Sequence, residues 1–145
     1  MVIKLQAAQI PMFWEAIKFA VVQADEVEKD DVPAYLIILL NDLLSDKGQC
    51  FVRLDSDRKL LGILVTKITA DKFSGAKTLL LQALYSWKAV EGKEWEHDYP
   101  IVKEFAKHLK CKYITFESRY PRVWQLGKSV GFEEGLRSYT YKMEA

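Results

Sequence analysis

Apolar positions along the chain follow two periods, and the switches between them divide it into elements. Val2 to Leu5 alternate, as a short first strand does. From Pro11 to Ala24, Phe13, Ile17, Ala20, Val21 and Ala24 stand three or four residues apart, which predicts a helix with Pro11 in its first turn. The acidic run DEVEKDD, residues 25–31, breaks this period and reads as an exposed connector whose Asp31 caps the next helix. That second helix takes residues 33–46, with Leu36, Leu39, Leu40, Leu43 and Leu44 on one side and Gly48 as its stop.

The period then shortens to two. CFVRL (50–54), the polar turn DSDR and KLLGILVTKIT (59–69) predict a hairpin with Gly62 at a bulge. KTLLLQALYSW (77–87) is a further strand, apolar on both faces and so expected away from a wet edge. AVEGKEWEH has no clear period. Asp98 is then expected to cap a third helix with Pro100 in its first turn and Ile101, Val102, Phe105, Ala106 and Leu109 on its buried face. KYITFES (112–118) is a strand, residues 120–132 a fourth helix, and LRSYTYKM (136–143) a final strand. The order predicts a single α/β (α+β) domain over residues 1–145, with a mixed central sheet flanked by about four helices.

Composition narrows the function classes. The 145 residues suit one domain, and 21 basic against 20 acidic residues give no overall field for nucleic acid or membrane. The stretch from Lys103 onward is mildly basic, which makes nucleic-acid binding a third and weaker reading. Cys50 and Cys111 form neither a disulfide framework nor a metal motif, and read as reduced, buried thiols. The first residues lack the flanks of a signal peptide, and AYLIILL (34–40) is far shorter than the ~20 residues of a spanning helix. The expected location is the cytoplasm. Glu94, His97 and Asp98 have the spacing of a metal-binding helix face, but acidic groups near a helix start arise equally from capping, so no metal is expected.

The element order and the stretch YPRVWQLGKSVGF resemble the GNAT superfamily of acyl-CoA-dependent N-acetyltransferases. Pro121, Leu126, Gly131 and Phe132 match the family's fourth-helix pattern N-P-x-A-x-x-L-Y-x-K-x-G-F, with Lys128 one position early, and VKEFAKHLKCKYITFES resembles the preceding helix, turn and strand. The resemblance implies a cofactor cleft between the fourth and fifth strands and a glycine-rich loop presenting amides to a pyrophosphate. The matching segment, KAVEGKEWEHDYP, has only Gly92, followed by Glu94, Glu96, Asp98 and the Trp95 indole, a poor match for a diphosphate in charge and space. The family's proton-donating Tyr aligns with Gly127 and its Asn with Tyr120. The fourth strand carries no carboxylate to act as base.

These departures make the first expectation a degenerate GNAT-fold protein without acetyl-CoA chemistry, and so without a cofactor. It would serve as a binding or assembly factor for other proteins. A wider resemblance is to small head-assembly or internal proteins of short-tailed phages, which would make the partners virion proteins and the location a host cytoplasm or virion. Partner-binding candidates are Trp87, Trp95 and Tyr99, which with Tyr85 could instead plug the former cleft. The alternative is a divergent N-acetyltransferase holding acetyl-CoA through Leu84, Tyr85, Ser86, Gly92 and Lys93, with Glu117 as base and Tyr120 as acid.

Overall fold

A computed structural model describes residues 1–89 and 92–144. Five strands form one sheet in the order β1 (Val2–Lys4), β2 (Gly48–Leu54), β3 (Leu60–Ala70), β4 (Lys77–Ser86) and β5 (Tyr113–Phe116). The first four are antiparallel to their neighbours, and β5 runs parallel to β4. Helices α1 (Ile10–Asp25) and α2 (Val32–Leu44) cover one face, and α3 (Gly92–His108) and α4 (Pro121–Ser129) cover the other. This is the mixed-sheet α/β architecture that the sequence periods predict.

The pleat explains the two layers. Cys50, Val52 and Leu54 of β2 and Ile63 and Val65 of β3 pack with Ile17, Val21, Leu39 and Leu43 of α1 and α2. The alternate residues Phe51 and Leu64 face α3, where they meet Val102 and Ala106. Burial within the first layer pushes the Cys50 thiol up to about 12, so it stays protonated, while Cys111 is only partly buried; both are free.

A bulge in β4 changes this alternation. Val65 faces Ala83 and Thr66 faces Leu81, which leaves Gln82 as an extra residue. Before it, Leu79 and Leu81 join the α3–α4 layer; beyond it, Ala83 and Tyr85 join the α1–α2 layer. Pairing with β5 ends at the same place, because the last matched pair is Leu81 with Phe116. The second irregularity lies between Arg53 and Leu54, opposite Gly62 and Leu60, next to the glycine expected to mark it.

Three expectations are corrected. Helix α3 begins at Gly92, six residues before Asp98, so Asp98 is an interior residue and Pro100 lies inside the helix. The missed signal is the buried stripe Trp95, Val102 and Ala106, with half-buried Tyr99 between, spaced as one helix face. Asp31 stands at the N-cap of α2, but its backbone is already helical and its side chain makes no cap bond. The predicted final strand does not form among the described residues: Leu136, Tyr139, Tyr141 and Met143 are about four-fifths exposed, with no strand beside them. Alternation alone makes no strand where there is no face to bury.

Among the described residues, the segment from Leu136 onward makes two surface ion pairs, Arg137 to Glu134 and Lys142 to Glu28, both at 2.9 Å. Deleting residues 136–144 should therefore leave the thermal midpoint within about 2 °C of the full chain. A loss several times larger, by differential scanning calorimetry, would show that the segment packs on the domain.

Candidate active site

Past Leu81, β4 continues to Ser86 with no strand partner on its β5 side among the described residues, while the chain leaves β5 at Phe116 for α4. Tyr120 is extended, as a residue before proline is held, and Pro121 starts the helix. The two strands thus part and leave a cleft of about 240 Å³. Leu64, Leu81, Phe116, Val123 and Leu126 give it apolar walls; Asp25, Gln82, Glu117, Ser118 and Tyr120 are polar groups at its lining.

The most distinctive chemistry lies at the C-terminus of α1. The Tyr35 hydroxyl donates to Asp25 Oδ2 in a short hydrogen bond, and Gln82 Nε2 donates to the Tyr35 oxygen at 3.0 Å. Gln82 is the bulged residue, so the irregularity in β4 supplies the third member of this relay. Burial raises the Asp25 carboxyl above its ordinary range, and the bonds to Tyr35 and Gln82 offset this only in part. Burial, the bond to Asp25 and its charge hold the Tyr35 phenol protonated. The acidic run 25–31 is accordingly not one exposed connector: Asp25 belongs to α1 and lines the cleft, and Glu26 takes the left-handed conformation that ends the helix.

Glu26 also spans the cleft mouth. It accepts a short hydrogen bond from the Tyr120 hydroxyl and pairs with Arg119 at 2.9 Å. The bond to Glu26 raises the Tyr120 phenol above its ordinary range, which makes it a weaker acid. Glu117 and Tyr120, the expected base and acid, both line the cleft, as do Leu84 and Tyr85. Ser86 lies beside an adjoining cavity of about 50 Å³ and donates to the Leu61 carbonyl at 3.2 Å. Gly92 and Lys93 form the first turn of α3. Val90 and Glu91 of the expected phosphate segment lie outside the described residues.

Two objections from sequence change meaning. Glu94 and Asp98 bind Arg53 of β2, at 2.8 and 3.4 Å, so these carboxylates are already paired with a cation. His97 is exposed and contacts Asp98 at 3.2 Å, which leaves the Glu94–His97–Asp98 trio serving an ion pair. Gly127 lies against Phe116: a Cβ there would sit 2.5 Å from Phe116 Cζ and 2.6 Å from Cε1, so the ring would have to shift. The Phe116 ring, edge-on to Phe132 at 5.0 Å, occupies the space a side chain at 127 would need.

The aromatic cluster does not plug the cleft. Tyr85 and Trp87 pack with Phe19 of α1, whereas Trp95 and Tyr99 continue through Phe132 to Phe116 beneath α3 and α4. Trp87 is exposed and Tyr99 half-buried, but Trp95 is only 8 % exposed and out of a partner's reach. Its Nε1 is buried and, among the described residues, is the one such side-chain nitrogen or oxygen without a hydrogen-bond partner.

The fold is that of the GNAT acetyltransferases. The chain superposes on a probable acetyltransferase with a TM-score of 0.72 at 13% identity, covering 100% of this chain and 99% of that one. A ribosomal-protein-alanine N-acetyltransferase from Brucella melitensis biovar Abortus 2308 gives a TM-score of 0.67 at 14% identity, covering 99% of each chain. The aminoglycoside N-acetyltransferase AAC(6')-Iy, in complex with CoA, gives 0.70 at 15%, covering 100% of this chain and 95% of that one. No family model matches the chain, and no curated protein matches it by sequence. These likenesses support the fold and give no support to a phage head-assembly role. No helix among the described residues is long and apolar enough to cross a membrane.

Gly127→Ala should destabilise the protein by about 1 kcal/mol in urea unfolding, because overpacking against Phe116 costs ~1–3 kcal/mol and the helix-propensity gain returns ~1 kcal/mol. A stabilised variant would show that the Phe116 ring yields freely. For Asp25, a folded-state carboxyl raised above its unfolded value of 3.8 means that the charged form costs stability, which falls as pH rises from 3.8 through the folded value. Asp25→Asn should therefore melt higher than wild type at pH 7, with the difference shrinking as pH falls toward 3.8. A pH-independent difference between the two melting curves would refute this.

Proposed function

We propose that the chain is a divergent acyl-CoA-dependent N-acetyltransferase, the alternative reading of its sequence. One observation carries it: the cleft where β4 parts from β5 is open and meets a carboxylate whose affinity for protons is raised. A base with its pKa moved toward neutrality is the group that amine deprotonation requires. The free edge of β4 beyond Leu81 offers backbone groups to an acyl-thiol arm, and the start of α3 at Gly92 and Lys93 suits its phosphates.

Asp25, oriented by Tyr35, accepts a proton from the substrate ammonium. The freed amine lone pair attacks the thioester carbonyl carbon; the new C–N bond forms, the C–S bond breaks, and CoA leaves as thiolate. Thiols ionise near pH 8.5, so this leaving group departs without an acid at position 127. The attacking nitrogen's second proton, shed as the amide forms, passes through water to the thiolate, and Asp25 releases its own proton to solvent. The loss of the family's tyrosine is thus a smaller deficit than the loss of a base would be.

A second reading, ligand binding without turnover, is favoured by Gly127, which has no acid to give. Calorimetric titration with acetyl-CoA tests the shared premise: a dissociation constant tighter than ~100 μM, about −5.5 kcal/mol, is expected. Absence of binding sinks both readings. With binding established, Asp25→Asn should lower acetyl transfer to an amine panel about 10²-fold or more while leaving acetyl-CoA affinity unchanged. Wild-type binding with no transfer to any amine favours the second reading.

A further inference from the structure

We infer that the outward face of α2 is a self-association surface, on which the α2 of a second copy of this chain packs antiparallel. The helix has three sides. Leu39 and Leu43 are buried in the α1–α2 layer, and Tyr35 reaches Asp25. The third side carries Ala34, Ile37, Ile38 and Leu44, with Asn41 among them, and meets solvent; Ile37 and Ile38 are 63 % and 57 % exposed. Asp42 is the one charged residue of the helix, and it is largely buried in an ion pair with Lys67 of β3 at 3.1 Å. The outward side therefore bears no charge. A solvated helix face ordinarily carries charged and polar groups, and an exposed apolar stripe at helical spacing marks an association site.

The charges at its two ends select the occupant. At the N-terminal end Asp30 and Asp31 outweigh Lys29, because Glu28 is bound by Lys142 at 2.9 Å. At the C-terminal end Asp46 lies 4.0 Å from Lys4, and Lys47 makes no ion pair among the described residues. An antiparallel copy sets the acidic end of each helix on the basic end of the other and opposes the two helix dipoles. A two-fold axis at the level of Leu39 places the small Ala34 opposite the large Leu44. The same register places Asp31 opposite Lys47, once at each end. A membrane fits less well: helices that lie on lipid carry Lys and Arg along their rim, whereas this rim is acidic at one end. None of these residues lines the cleft, so the dimer is independent of the acetyltransferase reading.

Sedimentation velocity on the full-length chain over about 1 to 100 μM should show twice the mass of one chain at the upper end. A single chain throughout overturns the inference. Ile37→Lys with Ile38→Lys should weaken self-association about 100-fold or more, since each copy would bury unpaired charge. Both positions are exposed, so the far-ultraviolet circular dichroism spectrum should not change. A dimer that survives these substitutions lies on another face and overturns the inference. Charge exchange gives a second test, which stands even if the lysine variant does not fold. Asp30→Lys with Asp31→Lys in one chain, and Lys47→Glu in another, should each weaken self-association. Mixed in equal amounts, the two variants should prefer the mixed dimer, which native mass spectrometry resolves by mass. No preference for the mixed dimer overturns the antiparallel arrangement and with it the inference. Co-sedimentation of wild type with phosphatidylglycerol vesicles, abolished by the isoleucine substitutions, would assign the face to a membrane and likewise overturn it.

Discussion

The extra residue at Gln82 constrains more of this molecule than any other single feature. A strand with an unbroken pleat would send Leu79, Leu81, Ala83 and Tyr85 to one face. The bulge divides them, giving Leu79 and Leu81 to the α3–α4 layer and Ala83 and Tyr85 to the α1–α2 layer. It coincides with the end of β4–β5 pairing, so the point where the core changes sides is also where the cleft opens. The unpaired residue itself bonds Tyr35, which bonds Asp25. Core partition, cleft and relay share one origin. Bulges recur beside active sites because they free a side chain from the ladder and re-aim it.

The sequence made the layer order legible because long apolar periods are burial signals, and α1, α2, β3 and β4 each bury a face. It failed where burial is absent or discontinuous. LRSYTYKM alternates well, yet its apolar side chains meet solvent, and periodicity cannot tell an alternating strand from an alternating tail. The start of α3 was hidden by charge: Glu94 and Asp98 look like surface residues until Arg53, more than forty residues earlier in the chain, is placed between them. Asp25 was hidden for a related reason. It sits in a run of acidic residues, and only the approach of Tyr35 and Gln82 distinguishes it from Glu28 or Asp30. Local patterns report local burial. Sites assembled from separate elements leave no local pattern.

Gly127 shows how one residue supports opposite inferences at the two levels. As a letter in a family pattern it marks a missing acid. In the fold it is the surface on which Phe116 rests, at a distance no Cβ would permit. The glycine and the ring are complementary: with Phe116 where it lies, a side chain at 127 would require the ring to shift. Under the acetyltransferase reading proposed above, a thiolate is a stable leaving group, whereas a substrate ammonium must lose its proton before it can attack.

Two polar groups near the cleft work against the stability of the fold that holds them. Asp25 is a carboxylate partly withdrawn from water, and Trp95 carries a buried donor with no partner among the described residues. Packing alone would favour an amide at the first position and a phenyl ring at the second, and either exchange is sterically modest. Folds retain such groups where a ligand completes what the chain leaves open, which is the usual conflict between stability and activity at a site. Both residues border the same cleft, one on α1 and the other on α3, although the Trp95 nitrogen itself is closed off from it.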